Sequence, residues 1–70
     1  MSLDWEAIGT LHDTSANYDI RTDPLRVLIT TAMQGHMGPL DAMSITMSDG
    51  VVYGPAEIQG LALRPDRRRA

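Results

Sequence analysis

Methionine and histidine crowd the middle of this 70-residue chain, as Met33, His36, Met37, Met43 and Met47. Thioether and imidazole are soft donors of the kind that hold Cu(I). The same side chains are also the ordinary filler of irregular cores and adaptable contact surfaces. Met33 and Met43 fall on stripes that must be buried if their segments fold, so packing and self-association account for the methionines and no metal is assigned. A second constellation, His12-Asp13-x-Ser15, holds the residue types of nucleophilic catalysis. A triad needs three groups at fixed mutual geometry, which neighbours on a loop rarely supply. Asp, Ser and Thr are also ordinary turn residues.

Other chemistry is closed off by residue types that are missing. With no lysine and no cysteine, Schiff-base, phosphate-loop-lysine and thiolate chemistry are excluded, as are disulfides. Gly35-His36-Met37-Gly38 matches the GxxG spacing of RNA-clamping loops. It lacks positive charge, and two glycines ahead of Pro39 serve equally as a helix stop. No residue is nominated as catalytic, none as cofactor-binding and none as a metal ligand, and the expectation is a protein that is not an enzyme.

Charge is segregated. Residues 1–63 carry eight acids against Arg21 and Arg26, a net of −6, while residues 64–70 carry Arg64, Arg67, Arg68 and Arg69 against Asp66, a net of +3. An acidic body repels nucleic acid and anionic membrane over most of its surface. Phosphate contact therefore falls to the four tail arginines, and binding through so few charges is weak and salt-dependent.

The elements that must position these groups follow from periodicity. Ser2 and an apolar stripe of Leu3, Ala7, Ile8 and Leu11 predict an N-terminal helix over residues 3–12. Residues 13–17 are loop chemistry, and Tyr18 and Ile20 begin a short extended segment. Asp23 before Pro24 predicts a capped helix start, and Leu25, Leu28, Ile29, Ala32 and Met33 form the inner face of a helix ending near Gly35 or Gly38. Met43, Ile45 and Met47 then alternate with Ser44, Thr46 and Ser48 up to Asp49-Gly50. Val51-Val52-Tyr53 follows, which together predicts a hairpin. A helix over 39–48 is the competing assignment. Gly54-Pro55 opens a final short element, helix or strand, carrying Ile58, Leu61 and Ala62. Trp5 and Tyr53 are expected to anchor the core or a subunit contact.

Residues 60–68 resemble the helix-to-wing junction of MarR-type repressors over nine positions. Under the helical alternative, residues 39–48 would be the recognition helix. They offer Asp41, Ser44, Thr46 and Ser48 but no Arg, Lys, Asn or Gln to read a base edge, so no family is assigned.

The whole predicts a small α+β domain over 1–63 with a basic tail over 64–70; the alternative is mostly α and helix-turn-helix-like. A chain this short buries only about 60% of its unfolded surface, and small domains without disulfides or metals often compensate by association. The expected role is a non-catalytic protein-binding or regulatory module that self-associates, most simply as a homodimer, and contacts another protein. Leu25, Leu28, Ile29, Met33, Met37, Met43, Ile45, Met47 and Tyr53 are the expected contacts. The alternatives are a nucleic-acid accessory protein using Arg64, Arg67, Arg68 and Arg69, or an acidic mimic of nucleic acid. The opening residues lack the pattern of a signal peptide and no apolar run spans a membrane, which points to the cytoplasm.

Overall fold

The computed structural model describes residues 3–35 and 38–64 and shows an α+β fold. In chain order it comprises β1 (Ile8–Asp13), β2 (Tyr18–Pro24), α1 (Leu25–Gln34), one 3-10 turn (Leu40–Ala42), β3 (Met43–Met47), β4 (Val52–Tyr53) and α2 (Pro55–Ala62). The strands form one antiparallel sheet in the order β2-β1-β3-β4, so β1 and β3 are central.

The expected N-terminal helix is replaced by β1. Ile8 to Asp13 satisfies two periods at once. Leu3, Ala7, Ile8 and Leu11 mark a helical stripe, while Gly9, Leu11 and Asp13 alternate with Ile8, Thr10 and His12. Pairing on both edges, with β2 on one side and β3 on the other, decides for the strand. Gly9 shows why the fit is tight. A Cβ there would stand 2.8 Å from Met47 Sδ and 3.1 Å from the Thr46 carbonyl oxygen.

The central helix forms where predicted, but its start differs. Pro24 ends β2 in an extended conformation, and α1 has no side-chain cap. The first N–H groups of α1 donate to the segment before β1 instead, Leu25 to the Ala7 carbonyl at 2.9 Å and Arg26 to the Trp5 carbonyl at 3.0 Å. Those groups lack partners within any helix, so strand and helix are joined by main chain. Asp23, free of capping, pairs with Arg21. Gly35 closes the helix in the left-handed conformation with φ 75°, which a Cβ would disfavour.

Asp49-Gly50 lies in the β3–β4 turn, which is a three-residue loop. Met47 and Val51 are joined by a 2.7 Å backbone bond, Gly50 takes φ 95°, and Asp49 accepts from Val51 N–H at 3.0 Å. The helix-turn-helix alternative fails here, because residues 40–42 make a single turn and 43–47 a strand. The final element is helical, with Pro55 in its first turn, where a missing N–H costs nothing.

Both helices pack on one face of the sheet. Leu11, Leu25, Leu28, Ile29, Met43, Ile45 and Ile58 are essentially inaccessible, and Trp5 and Leu61 complete the cluster with Tyr53 packed at its margin. The chain thus encloses an apolar core between the sheet and the two helices. Met33 lies off the buried stripe and is 47% exposed. Two buried polar groups are satisfied: the Thr31 hydroxyl donates to the Val27 carbonyl at 2.9 Å, and Asp13 closes the β1–β2 turn.

Candidate functional site

The face of the sheet opposite the helices is the chemically distinctive surface. Ile8, Thr10 and His12 project there from β1, and Ser44 and Thr46 from β3. Cross-strand partners share a face, so Thr22 beside Thr10 and Val52 beside Thr46 belong to it as well. Thr10 and Thr22 join their hydroxyl oxygens at 3.1 Å. Ile8 and the 58%-exposed Val52 bracket this hydroxyl field with apolar surface.

A bulge in β2 sets the polar end of the face. Regular pairing would place Ile20 opposite His12. The register slips by one residue after Leu11, and Asp19 takes that position. Ile20 turns to pack against the core, while Asp19 Oδ1 contacts His12 Nδ1 at 2.8 Å. Such a bulge re-aims side chains at the expense of one ladder position. On the other side, Ser44 is the direct partner of His12. An acid, an imidazole and a hydroxyl therefore line up across three strands, in the order used by nucleophilic hydrolases.

The setting does not complete that chemistry. Among the described residues no hydrogen bond joins Ser44 to His12, and the Asp19 side chain is 72% exposed. The main-chain N–H groups of two central strands belong to ladders on either side, so they are not gathered toward a point where an oxyanion would form. Thr10, His12, Asp19, Ser44 and Thr46 instead line one shallow, hydroxyl-rich depression.

His12-Asp13-x-Ser15 is divided by the strand itself. Successive side chains point to opposite faces, so His12 lies on the open face and Asp13 on the helix side. Asp13 Oδ1 accepts from Ser15 N–H at 2.9 Å, Ser15 Oγ–H at 2.7 Å and Ala16 N–H at 3.1 Å. These bonds, led by the Ser15 hydroxyl and then the Ala16 N–H, hold the Asp13 carboxyl below the usual carboxylate range. Its role is to shape the turn.

The soft-donor set is also dispersed. Met43 and Met47 put their side chains in the core and Met33 lies on the surface, while His36 and Met37 lie outside the described residues. Among the described residues no three His, Asp or Glu side chains converge as a metal site. Of the expected self-association residues, Leu25, Leu28, Ile29, Met43, Ile45 and Met47 are buried within the chain. Met33 and Tyr53 keep some surface, and Met37 lies outside the described residues.

Of the tail arginines, Arg64 stands over the Trp5 ring with 5.9 Å to its centroid; Arg67, Arg68 and Arg69 lie outside the described residues. No helix among the described residues is long and apolar enough to cross a membrane. Sequence reasoning singled out His12 but not the face it belongs to, and the Ser44–Thr46–Ser48 alternation gives no hint of the strand beside it. Comparison with protein families, characterised proteins and solved structures finds no match.

Proposed function

We propose that this protein is a non-catalytic binding module that recognises another polypeptide through the open face of its sheet, and that a second copy of the chain is its simplest partner. The uncovered face carries this proposal. An antiparallel sheet can leave one side to water, and such a side is then polar. Here it presents Thr10, Thr22, Ser44 and Thr46 between Ile8 and Val52, and among the described residues of this face only His12 and Asp19 are ionisable. Short apolar side chains gain from burial and hydroxyls can hydrogen-bond across a contact, which suits a protein partner. Interface cores are depleted in charge in the same way.

The shift from the sequence-based expectation concerns location. Methionines on two faces no longer supply the contact, because the core consumes Met43 and Met47. The net charge of −3, carried mainly outside this face, gives nucleic acid little to bind.

Sedimentation equilibrium across micromolar concentrations tests the proposal. The wild-type chain should associate reversibly, and Val52→Asp should shift it to monomer without altering its far-ultraviolet circular dichroism. Val52 is exposed, so the substitution spares the core. A chain that stays monomeric at every concentration, or a Val52→Asp variant that associates as strongly as wild type, would refute self-association through this face.

A further inference from the structure

Imidazole is the side chain whose type gains and loses charge between pH 5 and 8, and the open face holds one among the described residues, on His12. It stands on the central strand β1, with Asp19 opposite on β2 and Ser44 opposite on β3. Its side chain keeps 27% of its surface, and its Nδ1 lies 2.8 Å from Asp19 Oδ1. The other described residues facing it are Thr10 on β1, Thr22 on β2 and Thr46 on β3, none of them ionisable. Arg21 pairs with Leu11 and so belongs to the other side of the sheet, where its guanidinium holds Asp23. Asp13 also lies on that side, with Oδ1 taken by Ser15 and Ala16. Asp19 is therefore the one described charge that shares the face with His12.

The two protonation states of this pair differ in what covering them costs. With His12 neutral, the pair carries the single negative charge of Asp19. With His12 protonated, two opposite charges stand in contact and sum to zero. Taking a lone charge out of water costs more than taking a contact pair, whose fields cancel at a distance. The charge of the whole chain acts in the same sense. Each copy carries −3 with its histidines neutral, so each proton taken up weakens the repulsion between two copies. The β2 bulge is what creates the device, since regular pairing would set Ile20 beside His12 and leave no carboxylate there.

We propose that the His12–Asp19 pair makes self-association through the open face proton-linked, each copy taking up a proton at His12 as the faces meet, so that the contact tightens as pH falls from 8 to 6. This rests on the reading of the open face as the contact between copies. In linkage terms the assembled state binds more protons than the separate chains, so acid favours assembly. The gain ends once pH falls far enough to protonate Asp19, because the pair then carries a lone positive charge.

Sedimentation equilibrium of the full chain at pH 8 and at pH 6, at one fixed salt concentration, tests this. The dissociation constant of the wild-type chain is expected to be about tenfold lower at pH 6. His12→Gln is neutral at both pH values and should associate equally at each. Asp19→Asn makes protonated His12 the lone charge of the pair, and should abolish or reverse the dependence. His36→Gln alters the other histidine of the chain and should retain it. Circular dichroism reports whether each variant is folded, and should one of the two pair variants fail to fold, the other decides with the wild type. Equal wild-type constants at the two pH values would overturn the proton linkage and leave the open-face contact standing. So would a tenfold fall that persists in His12→Gln or Asp19→Asn, or that vanishes in His36→Gln. A wild-type chain that is monomeric at both pH values would overturn the contact and the linkage together.

Discussion

Substituting Gly9 by alanine separates the two conformations that its segment can adopt, because they predict opposite signs. In a helix, alanine is more favourable than glycine by about 1 kcal/mol. In β1, the new methyl group points into the packed side of the sheet. It would meet Met47 Sδ at 2.8 Å, the Thr46 carbonyl oxygen at 3.1 Å and Ile45 Cγ2 at 3.3 Å. Met47 can swing its flexible end aside, but the carbonyl belongs to the paired strand and moves only with the ladder. Forcing an extra carbon into a filled core costs about 1–3 kcal/mol, offset by about 0.4–1 kcal/mol from the stiffer unfolded chain. The net expectation is a loss of roughly 1–2 kcal/mol. For a domain of this size that lowers Tm by roughly 5–15 °C. Thermal unfolding followed by circular dichroism and by the fluorescence of buried Trp5 measures it. Adding Met47→Ala to Gly9→Ala should cost less than Met47→Ala alone predicts by additivity, because the closest contact is gone. A Gly9→Ala protein that melts higher than wild type would refute the strand and the packing derived from it.

Three further perturbations test other parts of the structure. Ile58→Ala empties a fully enclosed position under α2 and should cost about 2–5 kcal/mol, a large share of the stability of so small a domain, read as a lower urea midpoint. Gly35→Ala places a Cβ in the left-handed region at the end of α1, and a loss of about 1–2 kcal/mol is expected in the same assay. Asp13 gives a pH signature. Its folded value is depressed, so its contribution to stability is complete above the unfolded value near 4 and disappears as pH falls through the lower folded value. Asp13→Asn should therefore be less stable than wild type at pH 7, with the gap narrowing at pH 2–3; an unchanged gap would show that the charge plays no part.

The legible parts of the fold were those whose local pattern and tertiary role agree. For α1, Leu25, Leu28, Ile29 and Ala32 recur at helical spacing and Gly35 stops the chain, so propensity and packing ask for the same element. Along β3, Met43, Ile45 and Met47 alternate with polar residues and lead into Asp49-Gly50, which turns with few alternatives. At β1 the pattern was ambiguous, and Gly9 favoured neither element by propensity. The His12-Asp13-x-Ser15 cluster misled for a related reason, since adjacency in sequence places strand neighbours on opposite faces.

Composition and periodicity alone determined the α+β fold class, its central helix, its second hairpin and the absence of lysine and cysteine chemistry. These are local or additive properties, and the sequence carries them whatever the chain packs against. Tertiary structure decided the rest. Seating β1 between β2 and β3 created the open face, the slip at Ile20 brought Asp19 to His12, and closure of the core withdrew Met43 and Met47 from the surface. Each depends on which distant strand lies alongside, and pairing between residues far apart in sequence leaves no periodic mark on either partner.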